Sequence, residues 1–173
     1  MNVLGIFKSI TTLVFDIDGV LTDGTLLILP AGVMARRMNI KDGYALQLAV
    51  KRNYTVAIIS GGNSPDVEDR LHKLGIRHVF MSVQNKLACL DKFLQEQQRR
   101  YEEVLFMGDD IPDVEVMEQV GLPCCPADAV GEIKAVSKYI SPINGGFGCG
   151  RDVIEKVLKV RGHWAEDTTI RSQ

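Results

Sequence analysis

Leu13-Val14-Phe15-Asp16-Ile17-Asp18-Gly19-Val20-Leu21-Thr22 is the stretch around which the chain is organised. A run of β-prone apolar residues ends abruptly in two carboxylates, followed by a glycine and a threonine. In an open α/β sheet, ligands bind just beyond the carboxyl ends of the strands. A strand ending here therefore carries Asp16 and Asp18 to that place. The period-2 alternation of extended chain predicts both acids on one side and Ile17 on the other. Two carboxylates held that close repel, and a bound divalent cation or a shared proton relieves the repulsion. Taken alone, Asp-x-Asp is equally a turn rich in Asp and Gly, so the surroundings decide.

Outward from this stretch, apolar runs alternate with helical patterns, the signature of a parallel sheet covered on both faces. Strands are predicted at Leu13–Asp16, Thr55–Ser60, His78–Phe80, Val104–Met107, Leu122–Cys125 and Tyr139–Ile140. Helices are predicted at Tyr44–Arg52, Pro65–Leu74, Lys86–Gln98, Ile111–Val120, Val130–Ala135 and Arg151–Val160. The first few residues and the tail after Trp164 look poorly anchored, and fraying is expected there.

One segment departs from the alternation. Thr25–Leu29 and Val33–Lys41 flank Pro30-Ala31-Gly32 and read as a hairpin inserted after the first strand, over about residues 24–41. Leu26-Leu27-Ile28-Leu29 is apolar at every position, and a two-stranded ribbon cannot cover both of its own faces. A second subunit is expected to cover it. The return strand is expected to alternate, with Arg37, Asn39 and Lys41 on one face and Met38 and Ile40 on the other.

Four groups then line up, each just beyond a predicted strand: Asp16-x-Asp18, Ser60-Gly61-Gly62-Asn63, Lys86, and Gly108-Asp109-Asp110-Ile111-Pro112-Asp113. A hydroxyl with glycine amides at a helix N-terminus cradles an anion, because unpaired N–H groups and the helix dipole favour negative charge. A lysine nearby adds a positive charge suited to a phosphoryl group. Asp109 offers a third carboxylate, and hard oxygen ligands with room for water suit Mg²⁺. Each piece has an ordinary explanation as a turn, a surface lysine or a helix cap. All four in this order are not what unrelated turns produce.

Length and composition agree. At 173 residues, 46% hydrophobic and 24% charged, the chain fits a single domain over residues 1–173. A formal charge of -2 argues against a general binder of nucleic acid or of membrane surfaces. No apolar run approaches the roughly 18 residues of a spanning helix, and no signal peptide is evident at the start. Cys89, Cys124, Cys125 and Cys149 lack CxxC spacing, so free thiols in a cytoplasmic, reducing compartment are expected.

The four groups resemble the signature motifs of the haloacid dehalogenase superfamily of phosphotransferases, and the resemblance covers essentially the whole chain. It implies an α/β, Rossmannoid, three-layer fold with a parallel sheet. Within the superfamily, the segments Asp18–Gly24, Asn39–Gly43, Val67–Ile76 and Gly145–Val153 look like those of the 3-deoxy-D-manno-octulosonate (KDO) 8-phosphate phosphatases. Those enzymes are capless, need Mg²⁺, and form tetramers in which one subunit's hairpin helps to close a neighbour's site.

By that resemblance Asp16 is the nucleophile, forming an aspartyl-phosphate, and Asp18 is the general acid and then the base. Asp16, Asp109 and the backbone carbonyl of Asp18 would hold Mg²⁺. Ser60, Gly61 and Lys86 would bind the phosphoryl oxygens. Asp113 or Asp110 would orient Lys86 or a metal-bound water. Asn39, Lys41, Asp42, Gly43, Arg70 and Lys73 would contact the sugar acid, Arg70 through its carboxylate. Apart from the resemblance, Gly145 to Gly150 (within a C-terminal region of about 144–162) reads as either a flexible hinge or a tail that drapes over a neighbouring site, and the tail is expected. One departure stands out: many members carry an arginine where this chain has Gly62.

The expected activity is Mg²⁺-dependent hydrolysis of a 2-keto-3-deoxy sugar-acid phosphate by a cytoplasmic homotetramer. KDO 8-phosphate comes first, and a nine-carbon analogue (KDN or N-acylneuraminate 9-phosphate) or another small phosphate ester is the alternative. A receiver-type signalling module also pairs acids with Ser/Thr and Lys on a doubly wound sheet. Its acid pair and phosphorylated Asp lie on different strands, whereas Asp16 and Asp18 share one. A catalytically dead interaction domain is the remaining reading, and every reactive position is filled.

Overall fold

The computed structural model describes the backbone of residues 3–170 and side chains from Gly5. Six strands form one parallel sheet in the order β5-β4-β1-β6-β7-β8. They are β1 (Thr12–Phe15), β4 (Thr55–Ile59), β5 (His78–Phe80), β6 (Val104–Met107), β7 (Leu122–Cys125) and β8 (Tyr139–Ile140). A separate two-stranded hairpin, β2 (Leu27–Ile28) with β3 (Met34–Ala35), stands off this sheet. The central strand β1 pairs with β4 and β6 in register, so that Phe15 lies between Ile58 and Met107.

Because side chains alternate across a strand, each central strand feeds two cores. Leu13, Phe15, Ile58, Leu105 and Met107 enter one; Val14, Ala57, Ile59, Val104 and Phe106 enter the other. The first core is closed by α1 (Val3–Ser9), α2 (Ile40–Lys51), α3 (Pro65–Lys73) and α7 (Cys149–Val160). The second is closed by α4 (Lys86–Gln97), α5 (Val114–Gln119) and α6 (Gly131–Val136). Burial on both faces explains why these strands are apolar throughout rather than alternating. Local chemistry sets the helix starts. Asn39 caps α2 by accepting from the Lys41 N–H at 2.8 Å, Asn85 caps α4 through the Ala88 N–H at 2.8 Å, and Pro65 opens α3.

The predicted sheet is found, with β1 ending one residue early at Phe15 and β4 at Ile59. Four expectations are corrected. The return strand does not run to Lys41. Asn39 ends it as a helix cap, α2 begins at Ile40, and the proposed alternation of Asn39, Lys41 and Ile40 does not exist. Ile111–Val120 is a single 3-10 turn, Ile111–Asp113, followed by α5, because Asp110 and Pro112 first enforce a tight turn. The start is anchored by α1, whose Phe7 is fully buried and meets Tyr139 edge-on at 5.3 Å.

The tail is tied as well. Trp164 packs on Tyr44, the Asp167 N–H donates to the Tyr44 hydroxyl at 3.1 Å, and Ile170 is buried. The expectation of fraying at Met1 and Asn2 and at residues 171–173 falls outside the described residues. Among the described residues no helix is long and apolar enough to cross a membrane.

Candidate active site

β1 stops at Phe15 because the chain then coils into a tight turn over Ile17–Leu21, closed by a Thr22 N–H to Ile17 carbonyl bond of 3.0 Å. Gly19 takes φ +85, a conformation natural to glycine. Thr22 Oγ1, fully buried, accepts from the Gly19 and Gly24 N–H groups at 3.3 Å each and holds the loop. The turn ends the strand alternation. Asp16 and Asp18 still line the same cavity, of about 440 Å³, but they meet different partners.

The sequence-predicted residues Asp16, Asp18, Ser60, Gly61, Lys86, Asp109, Asp110 and Asp113 all line this cavity at the carboxyl end of the sheet. Lys86, from the start of α4, is buried between two acids. Its Nζ lies 2.8 Å from Asp16 Oδ2 and donates to Asp113 Oδ1 at 2.6 Å. Asp113 also accepts the Asp109 N–H at 3.2 Å, so it ties Lys86 to the loop after β6. Asp110 instead accepts the Ile111 N–H at 2.8 Å and caps the turn. Of the two acids, Asp113 and not Asp110 is the one in contact with Lys86. Ser60, fully buried, accepts the Gly62 N–H at 3.2 Å on Oγ.

Asp16, Asp109 and Asp113 each bring a carboxylate oxygen into one cluster within 4.8 Å. Asp109 packs against Gly19 so closely that a Cβ there would overlap it. This sets its carboxylate beside the Asp18–Gly19 peptide. Crowding shows in the acid strengths. Burial first, then repulsion from Asp16, Asp113 and Asp110, pushes Asp109 up to about 7. Burial pushes Asp16 up to about 6 against the opposing pull of Lys86. Burial also acts to lower the Lys86 pKa, but Asp16 and Asp113 outweigh it and hold the ammonium above its usual value. Three clustered carboxylates share a single ammonium, and a divalent cation fits that imbalance of hard oxygen donors.

The carboxylate of Asp18 stays out of this cluster. It is gripped instead by Arg36, a residue the sequence reading did not single out: Nε to Oδ1 is 2.7 Å and Nη2 to Oδ2 is 3.1 Å. The pair joins the hairpin's return strand to the acid loop. The available signal was the glycine at position 62, which leaves room for a cation from elsewhere.

The expected sugar-contacting residues divide. Arg70 lines a groove of about 450 Å³ beside Arg36, with its Nε buried and unpartnered. The others face elsewhere within the subunit. Asn39 caps α2 and donates to the Gly146 carbonyl at 3.3 Å. Asp42 is buried and accepts the Arg151 N–H at 2.6 Å. Gly43 is buried in α2, Lys41 lines a separate cleft beside α7, and Lys73 pairs with Asp69 on the outer face of α3 at 2.5 Å.

The Gly-rich segment also differs from expectation. Gly145 and Gly146 press on the backbone of Gly19, Thr22 and Asp23 of their own chain, with the Gly146 N–H bonded to the Val20 carbonyl at 2.9 Å. They back the acid loop rather than reach away from it.

A six-stranded parallel sheet that carries an acid loop, a Ser-Gly-Gly turn, a buried lysine and a carboxylate cluster at one end defines the class. Residues 29–121 match the haloacid dehalogenase-like hydrolase family, and the chain belongs to it. Among curated relatives, the 3-deoxy-D-manno-octulosonate 8-phosphate phosphatase KdsC of Salmonella typhi is 37% identical over 90% of this chain and 82% of its own length. The KdsC of Escherichia coli K12 is 35% identical over 93% of this chain and 86% of its own. The crystal structure of the Yersinia pestis 3-deoxy-D-manno-octulosonate 8-phosphate phosphatase superposes with a TM-score of 0.91 at 33% identity, over 93% of this chain and 87% of that one. The Moraxella catarrhalis enzyme, solved in complex with magnesium, phosphate and KDO, superposes with a TM-score of 0.88 at 29% identity, over 91% of each chain.

Proposed function

We propose that the chain is a Mg²⁺-dependent phosphatase that hydrolyses KDO 8-phosphate to KDO and phosphate, the whole chain acting as one domain. The observation that carries this reading is the convergence of Asp16, Asp109, Asp113 and Lys86 on one cavity with Ser60 and Gly61. The likeness to KdsC enzymes over nine-tenths of the chain supports the substrate.

Asp16, Asp109 and the Asp18 carbonyl would hold Mg²⁺, whose charge neutralises the crowded carboxylates and the phosphoryl oxygens. Asp16 attacks phosphorus in line, an oxygen–phosphorus bond forms, and the ester bond breaks as Asp18 gives a proton to the sugar oxygen. A water then loses a proton to Asp18 and attacks phosphorus, breaking the aspartyl-phosphate and releasing inorganic phosphate. Ser60, the Gly61 amide and Lys86 stabilise the equatorial oxygens throughout. Asp113 fixes Lys86 at 2.6 Å and so places its charge.

The exposed apolar hairpin, with Leu27, Ile28, Val33 and Met34 open to solvent, supports self-association of the chain, and the form proposed is a cytoplasmic homotetramer. A phosphate-release assay on eight-carbon and nine-carbon keto-sugar phosphates and on simple sugar phosphates, with and without EDTA, tests the reading. The expected result is EDTA-sensitive release, fastest from KDO 8-phosphate. Faster release from the nine-carbon ester would transfer the assignment, and release unaffected by EDTA would remove Mg²⁺.

A further inference from the structure

Gly62 sits where a side chain would be crowded from two sides. A Cβ there would lie 2.9 Å from Asp18 Oδ2 and 3.1 Å from Arg36 Nη2. The space is filled from the opposite direction by Arg36, one residue beyond β3. Its fork engages both Asp18 oxygens, and its Nη1 donates to the Met34 carbonyl at 3.2 Å. Its side chain is only 6% exposed, against 36% for that of Asp18.

Arg36 forms part of the wall between two cavities. Asp18 and Gly62 line the phosphate cavity, while Arg36 and Arg70 line the adjoining groove. In that groove the Arg70 Nε is buried with no hydrogen-bond partner. A buried guanidinium nitrogen without an acceptor is costly unless a ligand supplies one. Two guanidinium groups on one groove, next to a phosphate site, make a seat for a second anion on the same molecule. A planar fork matches a carboxylate best.

We propose that Arg36 is the residue that reads the carboxylate of the substrate, turning from Asp18 to that group through the gap left by Gly62. The inference rests on the phosphatase reading above and extends it to substrate choice. While Arg36 holds Asp18, both Asp18 oxygens are occupied. An acid-bearing ester draws the fork away and leaves them facing the scissile bond. An ester without a carboxylate meets Asp18 still clamped.

The test compares kcat and KM for matched esters, gluconate 6-phosphate against glucose 6-phosphate, together with KDO 8-phosphate, in wild type and Arg36→Ala. The acid member is expected to lose about tenfold or more in kcat/KM, mainly through KM, while the neutral member holds or gains. In the double variant Arg36→Ala with Gly62→Arg, a fork supplied from the other side should restore part of the preference. If Arg36→Ala fails to fold, Arg36→Lys keeps the charge without the fork and should show the same split in smaller measure.

Equal slowing of both esters would overturn the inference, and so would a wild type indifferent to the carboxylate. A wild type that favours gluconate 6-phosphate but leaves KDO 8-phosphate untouched would remove the substrate assigned above and leave Arg36 in place.

Discussion

Asp16 and Asp109 titrate near about 6 and about 7 because burial and neighbouring carboxylates disfavour their ionised forms. In the metal-free protein Asp109 therefore shares its site with a proton near pH 7 and Asp16 takes one up nearer pH 6, so a cation meets growing competition from protons as the pH falls. Mg²⁺ affinity is expected to fall as pH drops from 8 to 6, with proton release on binding. Calorimetry in two buffers of different ionisation heat measures both, and a pH-independent affinity would contradict the cluster. Asp16→Asn should leave the circular dichroism spectrum unchanged and reduce phosphate release to below about 1%, as loss of the proposed nucleophile requires. Asp18→Asn should slow turnover by on the order of 10² or more. These acids were legible because the motif puts them two positions apart at a strand end. Arg36 was not, because its partner lies 18 residues away and the space it fills is defined by a side chain that Gly62 lacks.

Helices α2 and α7 meet through Asp42, whose carboxylate caps the start of α7 while its Oδ2 has no partner. Burial, only partly offset by Arg151, raises its pKa from 3.8 to about 6. A carboxyl with a raised folded-state pKa contributes stability that is full below about pH 4 and is lost as pH rises through about 6. The displacement amounts to about 3 kcal/mol when complete. Asp42→Asn should therefore gain on the wild type in thermal stability between pH 5 and pH 8. A constant difference across that range in denaturation scans would refute the burial of the ionised form.

Sequence pattern located both helices but not their junction. The apolar spacing of Val153, Ile154, Val157 and Leu158 marks the buried face of α7, whereas a polar run such as Asn39–Gly43 reads equally as strand edge or substrate rim. Only the tertiary neighbour, α7, turns Asp42 inward.

At the scale of the molecule, the parallel order and the end of the sheet that carries chemistry followed from the alternation of apolar runs with helices. The anchoring of the termini did not, because α1 and the Trp164–Ile170 segment are held by contacts with Tyr139, Tyr44 and Lys51 far along the chain. The hairpin leaves an apolar surface open on a single chain, with Leu27 and Ile28 exposed at 63% and 73%. Leu27→Asp with Ile28→Asp should convert the proposed homotetramer to monomers on gel filtration, and an unchanged elution volume would exclude the hairpin from the interface.

The seating of Gly145 and Gly146 against residues 19–23 bears on how the protein is made. During synthesis Asp16 leaves the ribosome early, yet this backing of its loop arrives only after more than a hundred further residues have followed. A chain cut short before Gly145 is expected to lose this backing and to release phosphate more slowly than the full chain, so the last part of the polypeptide to be made would set when its earliest acid becomes competent.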